Sequence, residues 1–183
     1  LLSENQQPPE YARYRARTDL PRRGWHSWPA GIAVPDRRQE QYHLYVQWLI
    51  QDQLRALAQR SRESDCMLYL DLPLGLHRDS FDAWRYPHLF VKGMSGGAPP
   101  DPVFTTGQDW SFQPIHPQAM RQDGYKYAIT YMRNHLRYSR LLRIDHVMGL
   151  HRLYWIPEGF TGDRGLYVQY PADEMYAILS LES

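Results

Sequence analysis

Apolar positions recur along this chain in two rhythms, and the order of the rhythms is the first evidence about its fold. From Glu40 the spacing is helical. Val46, Leu49, Ile50, Leu54 and Leu57 fall at i, i+3, i+4, i+8 and i+11, and Tyr42 and Tyr45 extend the stripe upstream. Gln51, Asp52, Arg55 and Gln59 lie mostly off it, which predicts an amphipathic helix over roughly 40–60. Cys66-Met67-Leu68-Tyr69-Leu70-Asp71-Leu72-Pro73 then replaces the stripe with a short continuous apolar run. Such a run suits a strand buried on both faces of a parallel α/β sheet. Asp71 stands at its C-terminal end, either as the cap of a following turn or as a carboxylate offered to a site.

Residues 79–90 predict a short helix, with Asp79 or Ser80 as N-cap and Phe81, Trp84 and Leu89 apolar. Gly93 to Pro117 has no period. It contains Gly96-Gly97-Ala98-Pro99-Pro100-Asp101-Pro102 and Thr106-Gly107-Gln108-Asp109-Trp110. An irregular stretch above about 15 residues is usually a functional loop or disordered. Phe104, Trp110, Phe112 and Ile115 anchor this one, so it reads as an ordered loop over a site.

Pro117 suits the first position of a helix. Tyr127, Ala128, Tyr131, Met132, His135 and Leu136 form a second stripe through about residue 139, with Lys126, Arg133, Arg137 and Arg140 on a solvated basic side. Leu141-Leu142-Arg143-Ile144-Asp145 follows with strand alternation. Trp155-Ile156-Pro157-Glu158-Gly159 reads as a turn region, Tyr167 and Val168 as a short hairpin strand, and residues 173–182 as a helix on which the chain stops, as a fragment would. Residues 1–38, rich in Pro and Arg, show no sustained period. Pro29 and Pro35 bar a helix near Trp25-His26-Ser27-Trp28, whose indoles read as packing under a long loop. Two strands joined through helices make a parallel pair. The class is therefore α/β, and both strands end in acidic residues, as at the catalytic rim of an α/β barrel.

Composition removes several functions. A formal net charge of +1 over 183 residues leaves no footprint for nucleic acid or an anionic membrane. No apolar run reaches transmembrane length, and Leu1-Leu2-Ser3-Glu4-Asn5 is not a secretion signal. The single Cys66 fits a reducing compartment, so cytoplasmic localisation is expected. With no metal-ligand cluster and no phosphate-cradling glycine loop, neither a metal nor a cofactor is expected. The 6 Trp and 14 Tyr build core, and their flat rings also make platforms for sugar faces.

The candidate chemistry sits at Arg143-Ile144-Asp145-His146. Alternation puts Arg143 and Asp145 on one face, apolar neighbours on the other, and the pair reads as buried at the mouth of a site. A guanidinium two residues away favours the ionised carboxylate, as a nucleophile or a substrate clamp requires. A purely structural ion pair would use the same residues.

Several motifs, in this order, carry a resemblance: Gln47-Trp48 in its helix, Asp71-Leu72-Pro73, Asp79-Ser80, Pro99-Pro100-Asp101 through Gly107-Gln108-Asp109-Trp110, Arg143-Ile144-Asp145-His146, and Trp155-Ile156-Pro157-Glu158-Gly159. From about Trp25 to Ser183 the chain resembles the middle of glycoside hydrolase family 77, the 4-α-glucanotransferases or amylomaltases of the α-amylase clan. The resemblance implies part of a (β/α)8 TIM barrel with long loop insertions, incomplete in this chain. Residues 1–183 would be a partial catalytic barrel domain, with 1–38 its irregular N-terminal part and 39–183 its strands, helices and active-site loop.

It further implies Asp145 as catalytic nucleophile, Arg143 orienting it and binding sugar hydroxyls, and His146 lining the site. Asp71 would end the third barrel strand and Asp145 the fourth, with Asp101, Gln108 and Trp110 in the loop over the donor and acceptor subsites. Pro102 departs from the pattern, since many relatives carry Tyr there. The implied reaction is retaining transfer between maltooligosaccharide or α-1,4-glucan donor and acceptor through a covalent glucosyl-Asp. The family's general acid and its transition-state-stabilising Asp belong to later Glu-Asp-Leu-Gly-like and His-Asp motifs, absent from these residues, and Glu158 and Glu182 lack their context. The chain alone is therefore expected to be inactive, and the apolar edges of an incomplete barrel invite self-association. A hydrolase of the same clan, a non-catalytic glucan-binding module and an inert structural domain remain as alternatives.

Overall fold

The computed structural model of the chain describes residues 7–19, 24–28 and 36–183. They divide into two compact units, one reaching Leu70 and including Asn134–Leu142, the other Asp71–Arg133 with Arg143–Ser183.

The first unit is built on two helices. α1 (Gln7–Asp19) lies in the stretch expected to be irregular. Its Pro8-Pro9 falls in the first turn, where the missing N–H groups have no helical partner to lose, and Ala12, Tyr14 and Ala16 are buried. α2 (Arg37–Glu63) covers the predicted helix and is capped by Asp36, whose carboxylate accepts from the Arg38 N–H at 3.1 Å. Its stripe is buried only in part. His43 and Ala58 are buried, Val46, Leu49 and Leu54 half-buried, and Ile50 and Leu57 exposed beside Tyr42, Tyr45 and Trp48. His43 Nε2 meets Asp19 Oδ2 at 2.8 Å, tying α2 to the end of α1. Trp28 packs on Tyr14 with ring centroids 5.7 Å apart, as packing under a loop predicts; Pro29 and Pro35 lie outside the described residues.

The chain continues as β1 (Tyr69–Leu72), β2 (Leu76–His77), α3 (Phe81–Arg85), β3 (Met94–Ala98), β4 (Gln108–Asp109) and β5 (Phe112–Gln113), then α4 (Pro117–Gln122) and α5 (Lys126–Tyr138). After these come β6 (Leu141–Ile144), β7 (Arg152–Pro157), β8 (Leu166–Gln169) and α6 (Ala172–Glu182). Ser80, not Asp79, caps α3, accepting the Ala83 N–H at 3.2 Å. The helix predicted from Pro117 to about residue 139 is two, α4 and α5. Gly124 at φ +65° and Tyr125 at φ +57° reverse the backbone between α4 and α5, where the side-chain pattern gave no break.

β1 pairs with β6, β2 with β5, and β4-β3-β7-β8 form a sheet of antiparallel pairs. β1 is mostly exposed rather than buried on both faces; only its Leu72 is buried. The strands of these sheets correct two expectations. Residues 93–117 contain three strands, and Trp155-Ile156-Pro157 closes β7 instead of forming a turn, with Pro157 beyond the last residue of β7 that pairs with β8, Trp155. Gly96 and Gly97 disguise β3. A Cβ on Gly96 would lie 2.3 Å from the Phe112 ring, and one on Gly97 2.1 Å from the Gln108 carbonyl oxygen. Gly107, at φ +75°, meets Gly162 backbone to backbone, where a Cβ on Gly162 would lie 2.7 Å from the Gly107 Cα. The buried Tyr154 hydroxyl donates to the Gly162 carbonyl at 2.7 Å and pins that approach.

The core of the second unit gathers Met132, Leu153, Trp155, Met175 and Ile178, with Trp110, Phe112 and Tyr131 against its border. A smaller cluster of Ala83, Leu89 and Phe90 takes the edge of Tyr127, whose hydroxyl donates to Asp82 at 2.9 Å. Burial, then the Asp82 carboxylate, pushes the Tyr127 phenol well above its usual range. Lys126, Arg133, Arg137 and Arg140 are exposed, as the solvated-face reading requires. Among the described residues no helix is long and apolar enough to cross a membrane.

Candidate active site

β6 keeps the predicted alternation, with Leu142 and Ile144 half-buried and Arg143 exposed. The guanidinium forks between two carboxylates. Arg143 Nη1 donates to Asp71 Oδ2 at 3.0 Å and Nη2 to Asp145 Oδ1 at 3.1 Å. The planar fork fixes both acceptors at once, which a point charge cannot do. The strand therefore ends where Asp71, at the end of β1, and Asp145, just past β6, share one cation.

His146 turns the chain at φ +47°, one of three described non-glycine residues with positive φ. Histidine tolerates this region better than branched residues do, and such strain marks functional sites more often than surface loops. The turn directs the His146 N–H onto Asp145 Oδ1 at 3.1 Å and leaves the ring Nδ1 3.3 Å from Oδ2. Oδ1 thus holds two donors, while Oδ2 faces one ring nitrogen. Across from His146 stands Trp110, with centroids 4.8 Å apart. Its indole N–H donates to Gln108 Oε1 at 3.2 Å, its backbone N–H to the Gly96 carbonyl at 3.0 Å, and it stacks on Phe112.

Six of the seven expected residues, Asp145, Arg143, His146, Asp71, Gln108 and Trp110, therefore form one chain of contacts. Asp101 stands apart from it. Its carboxylate accepts from the Val103 and Phe104 N–H groups at 2.8 and 2.6 Å and closes its own exposed turn. The ion pair is also not buried, contrary to expectation. The Arg143, Asp145 and Asp71 side chains are 46%, 48% and 59% exposed. Pairs this open contribute at most about 1 kcal/mol to stability, which weakens the purely structural reading. Glu158 and Glu182 are engaged by Arg78 and Arg133, and Arg133 holds the Glu182 carboxyl below its usual range.

Behind Trp110, the sequence marks Phe112 as an apolar anchor and Asp109 as part of a motif, but gives neither a role at the site and does not single out Ser95, Ser111 or Gly75. Asp109 Oδ1 accepts from the Ser111 N–H at 2.7 Å and from the Ser95 hydroxyl, and Phe112 fills the space that Gly75 and Gly96 leave open. The Asp-x-Ser spacing is a legible turn signal, but it does not say what the turn holds. Among the described residues no group of three or more His, Cys, Asp or Glu is placed to hold a metal ion.

The 4-alpha-glucanotransferase family model of glycoside hydrolase family 77 matches residues 3–183. The 4-alpha-glucanotransferase of Haemophilus influenzae is 43% identical over 145 residues, covering 78% of this chain and 21% of that protein. That of Mycobacterium tuberculosis H37Rv is 33% identical over 172 residues, covering 87% of this chain and 24% of that protein. The amylomaltase of Corynebacterium glutamicum superposes with a TM-score of 0.85 at 31% identity, over 98% of this chain and 25% of that one. The amylomaltase of Streptococcus agalactiae, solved with acarbose, superposes at 0.88 with 18% identity, over 98% of this chain and 40% of that one, a likeness of fold. This chain thus spans about a fifth to a quarter of the curated relatives just named and carries part of a TIM-barrel-type fold. On the match over residues 3–183, the chain belongs to glycoside hydrolase family 77, the 4-alpha-glucanotransferases.

Proposed function

We propose that this chain supplies the nucleophile half of a 4-α-glucanotransferase site that transfers α-1,4-glucan segments between maltooligosaccharides. The observation that carries the reading is the state of Asp145: Oδ1 held by both Arg143 and the His146 N–H, with Oδ2 facing only the His146 ring nitrogen at 3.3 Å. In this mechanism Oδ2 attacks the anomeric carbon of the donor. The glycosidic C–O bond breaks as the ester to Asp145 forms, and the leaving oxygen takes a proton from an acid supplied by the family's length outside this chain. A 4-hydroxyl of the acceptor then attacks the same carbon, returns its proton to that group and frees Asp145. Two inversions retain the configuration.

Arg143 keeps the carboxylate aimed, and Asp71 holds the other branch of the fork so that the guanidinium cannot swing. Transfer outruns hydrolysis only where the acceptor hydroxyl is pre-positioned. The Trp110 ring and the Gln108 amide are assigned that work, and Asp101 a looser role at the rim of the same loop. The lone Cys66 thiol, exposed, suits the cytoplasm.

The test is chromatography of products after incubating the full-length protein with maltotriose, beside an Asp145→Asn variant. The unsubstituted protein is expected to make a ladder of longer maltooligosaccharides, which the variant loses by about a thousandfold or more in rate. A ladder that survives the substitution sinks the assignment of Asp145. Glucose and maltose without longer products point to a hydrolase, and retention on amylose without turnover to a binding module.

A further inference from the structure

Trp110 sits between two residues tied to one oxygen. Asp109 Oδ1 accepts the Ser95 hydroxyl from β3 and, at 2.7 Å, the N–H of Ser111, the residue that follows Trp110 in the chain. Ser111 is held at φ +58°, a conformation that an L side chain adopts only when its surroundings insist. From behind, Phe112 stacks on the indole and occupies room that exists because residues 75 and 96 are glycine: a Cβ at either would lie 2.2 and 2.3 Å from its ring. The indole then meets His146, the residue whose N–H holds Asp145.

The bridge is not needed to join β3 to β4, because those strands already pair through Gly97 with Asp109 and Ala98 with Gln108. What it adds is control of the backbone on both sides of one ring. We propose that Asp109, braced by Ser95, is a positioning residue that sets the face of Trp110 against His146 and so fixes the acceptor side of the site. Its geometry stands alone, and its kinetic consequence rests on the transferase reading above.

The experiment compares Asp109→Ala and Ser95→Ala with Asp109→Asn, which keeps an accepting oxygen, in the full-length protein. Two quantities are read: acrylamide quenching of Trp110 emission, isolated by subtracting a Trp110→Phe version of each variant, and the KM and kcat for glucose as acceptor. Asp109→Ala should raise both the quenching and the acceptor KM, the latter about tenfold since small misplacements at a reacting centre are costly, with kcat and melting temperature held. Ser95→Ala should do so more weakly, and Asp109→Asn should behave as the native protein. Native quenching in Asp109→Ala overturns the proposal. So does raised quenching with an unchanged KM, or a loss shared equally by Asp109→Asn. If the unsubstituted protein transfers nothing, the transferase reading fails, and quenching alone still decides what Asp109 does.

Discussion

In β7 every residue from Leu153 to Ile156 is buried, Ile156 completely, whereas in the corner from Arg143 to His146 none is. Both segments follow the same rules of strand pairing, yet they hold their side chains by different forces. Ile156 is fixed because dense packing leaves it nowhere to go. Asp145 is fixed because an Arg fork and a turned backbone N–H converge on one oxygen while water reaches the rest. Burial secures shape without caring which apolar atom fills the space. Directed hydrogen bonds secure orientation and contribute little to stability. On the transferase reading, an open site needs directed bonds of the second kind around Asp145 and packing of the first kind in the sheet.

Three measurements would break or sharpen this contrast, each by urea unfolding of the full-length protein. Ile156→Ala should cost the most, about 2–5 kcal/mol, because it removes buried methylenes and leaves a cavity. A loss below about 1 kcal/mol would mean that the sheet is not the mechanical base of the unit.

The Tyr131→Phe effect should be smaller and confined to alkaline pH. Burial pushes the Tyr131 phenol from 10.0 up to about 12. The folded state then keeps a proton that the unfolded state releases, so stability holds below about pH 10 and falls as pH rises through about 12. Tyr131→Phe should flatten that fall while leaving neutral-pH stability nearly unchanged. An identical alkaline profile in the variant would assign the fall to other groups.

Arg143→Ala should cost least, under about 1 kcal/mol, because the pairs it breaks are half exposed. Its rate of transfer should nevertheless collapse. A variant that unfolds readily would return Arg143 to a structural role.

What the sequence showed and concealed divides along the same line. α2 was legible from its apolar spacing, although the period could not tell which part of the stripe would be covered. The hairpin strand at Tyr167 and Val168 forms as β8, and Pro117 opens α4. The acidic ends of β1 and β6 were visible because few residues other than Arg and Asp can share a strand face for a reason. β3 was hidden because strand propensity counts against Gly96 and Gly97, whereas here close neighbours demand them. β7 was hidden behind Pro157 and Gly159, punctuation that marks its end and was read as its absence. α1 was missed because Pro8-Pro9 looks like a break unless it is counted as a first turn. Nothing local in Asp109 tells that it faces Ser95, since that contact joins residues 14 apart in the chain through the register of two strands, Gly97 opposite Asp109 and Ala98 opposite Gln108.

The glycines of the second unit set two different limits on how this sequence can drift. A methyl added at Gly75 collides with the ring of Phe112, and a smaller residue at 112 would clear it, so that collision has a remedy elsewhere in the chain. A methyl added at Gly162 collides with the α-carbon of Gly107, an atom that every amino acid carries. Lineages can cross the first barrier by two successive substitutions in either order of appearance, provided the intermediate survives. The second has no such path, and only a change in the course of the backbone itself would open one.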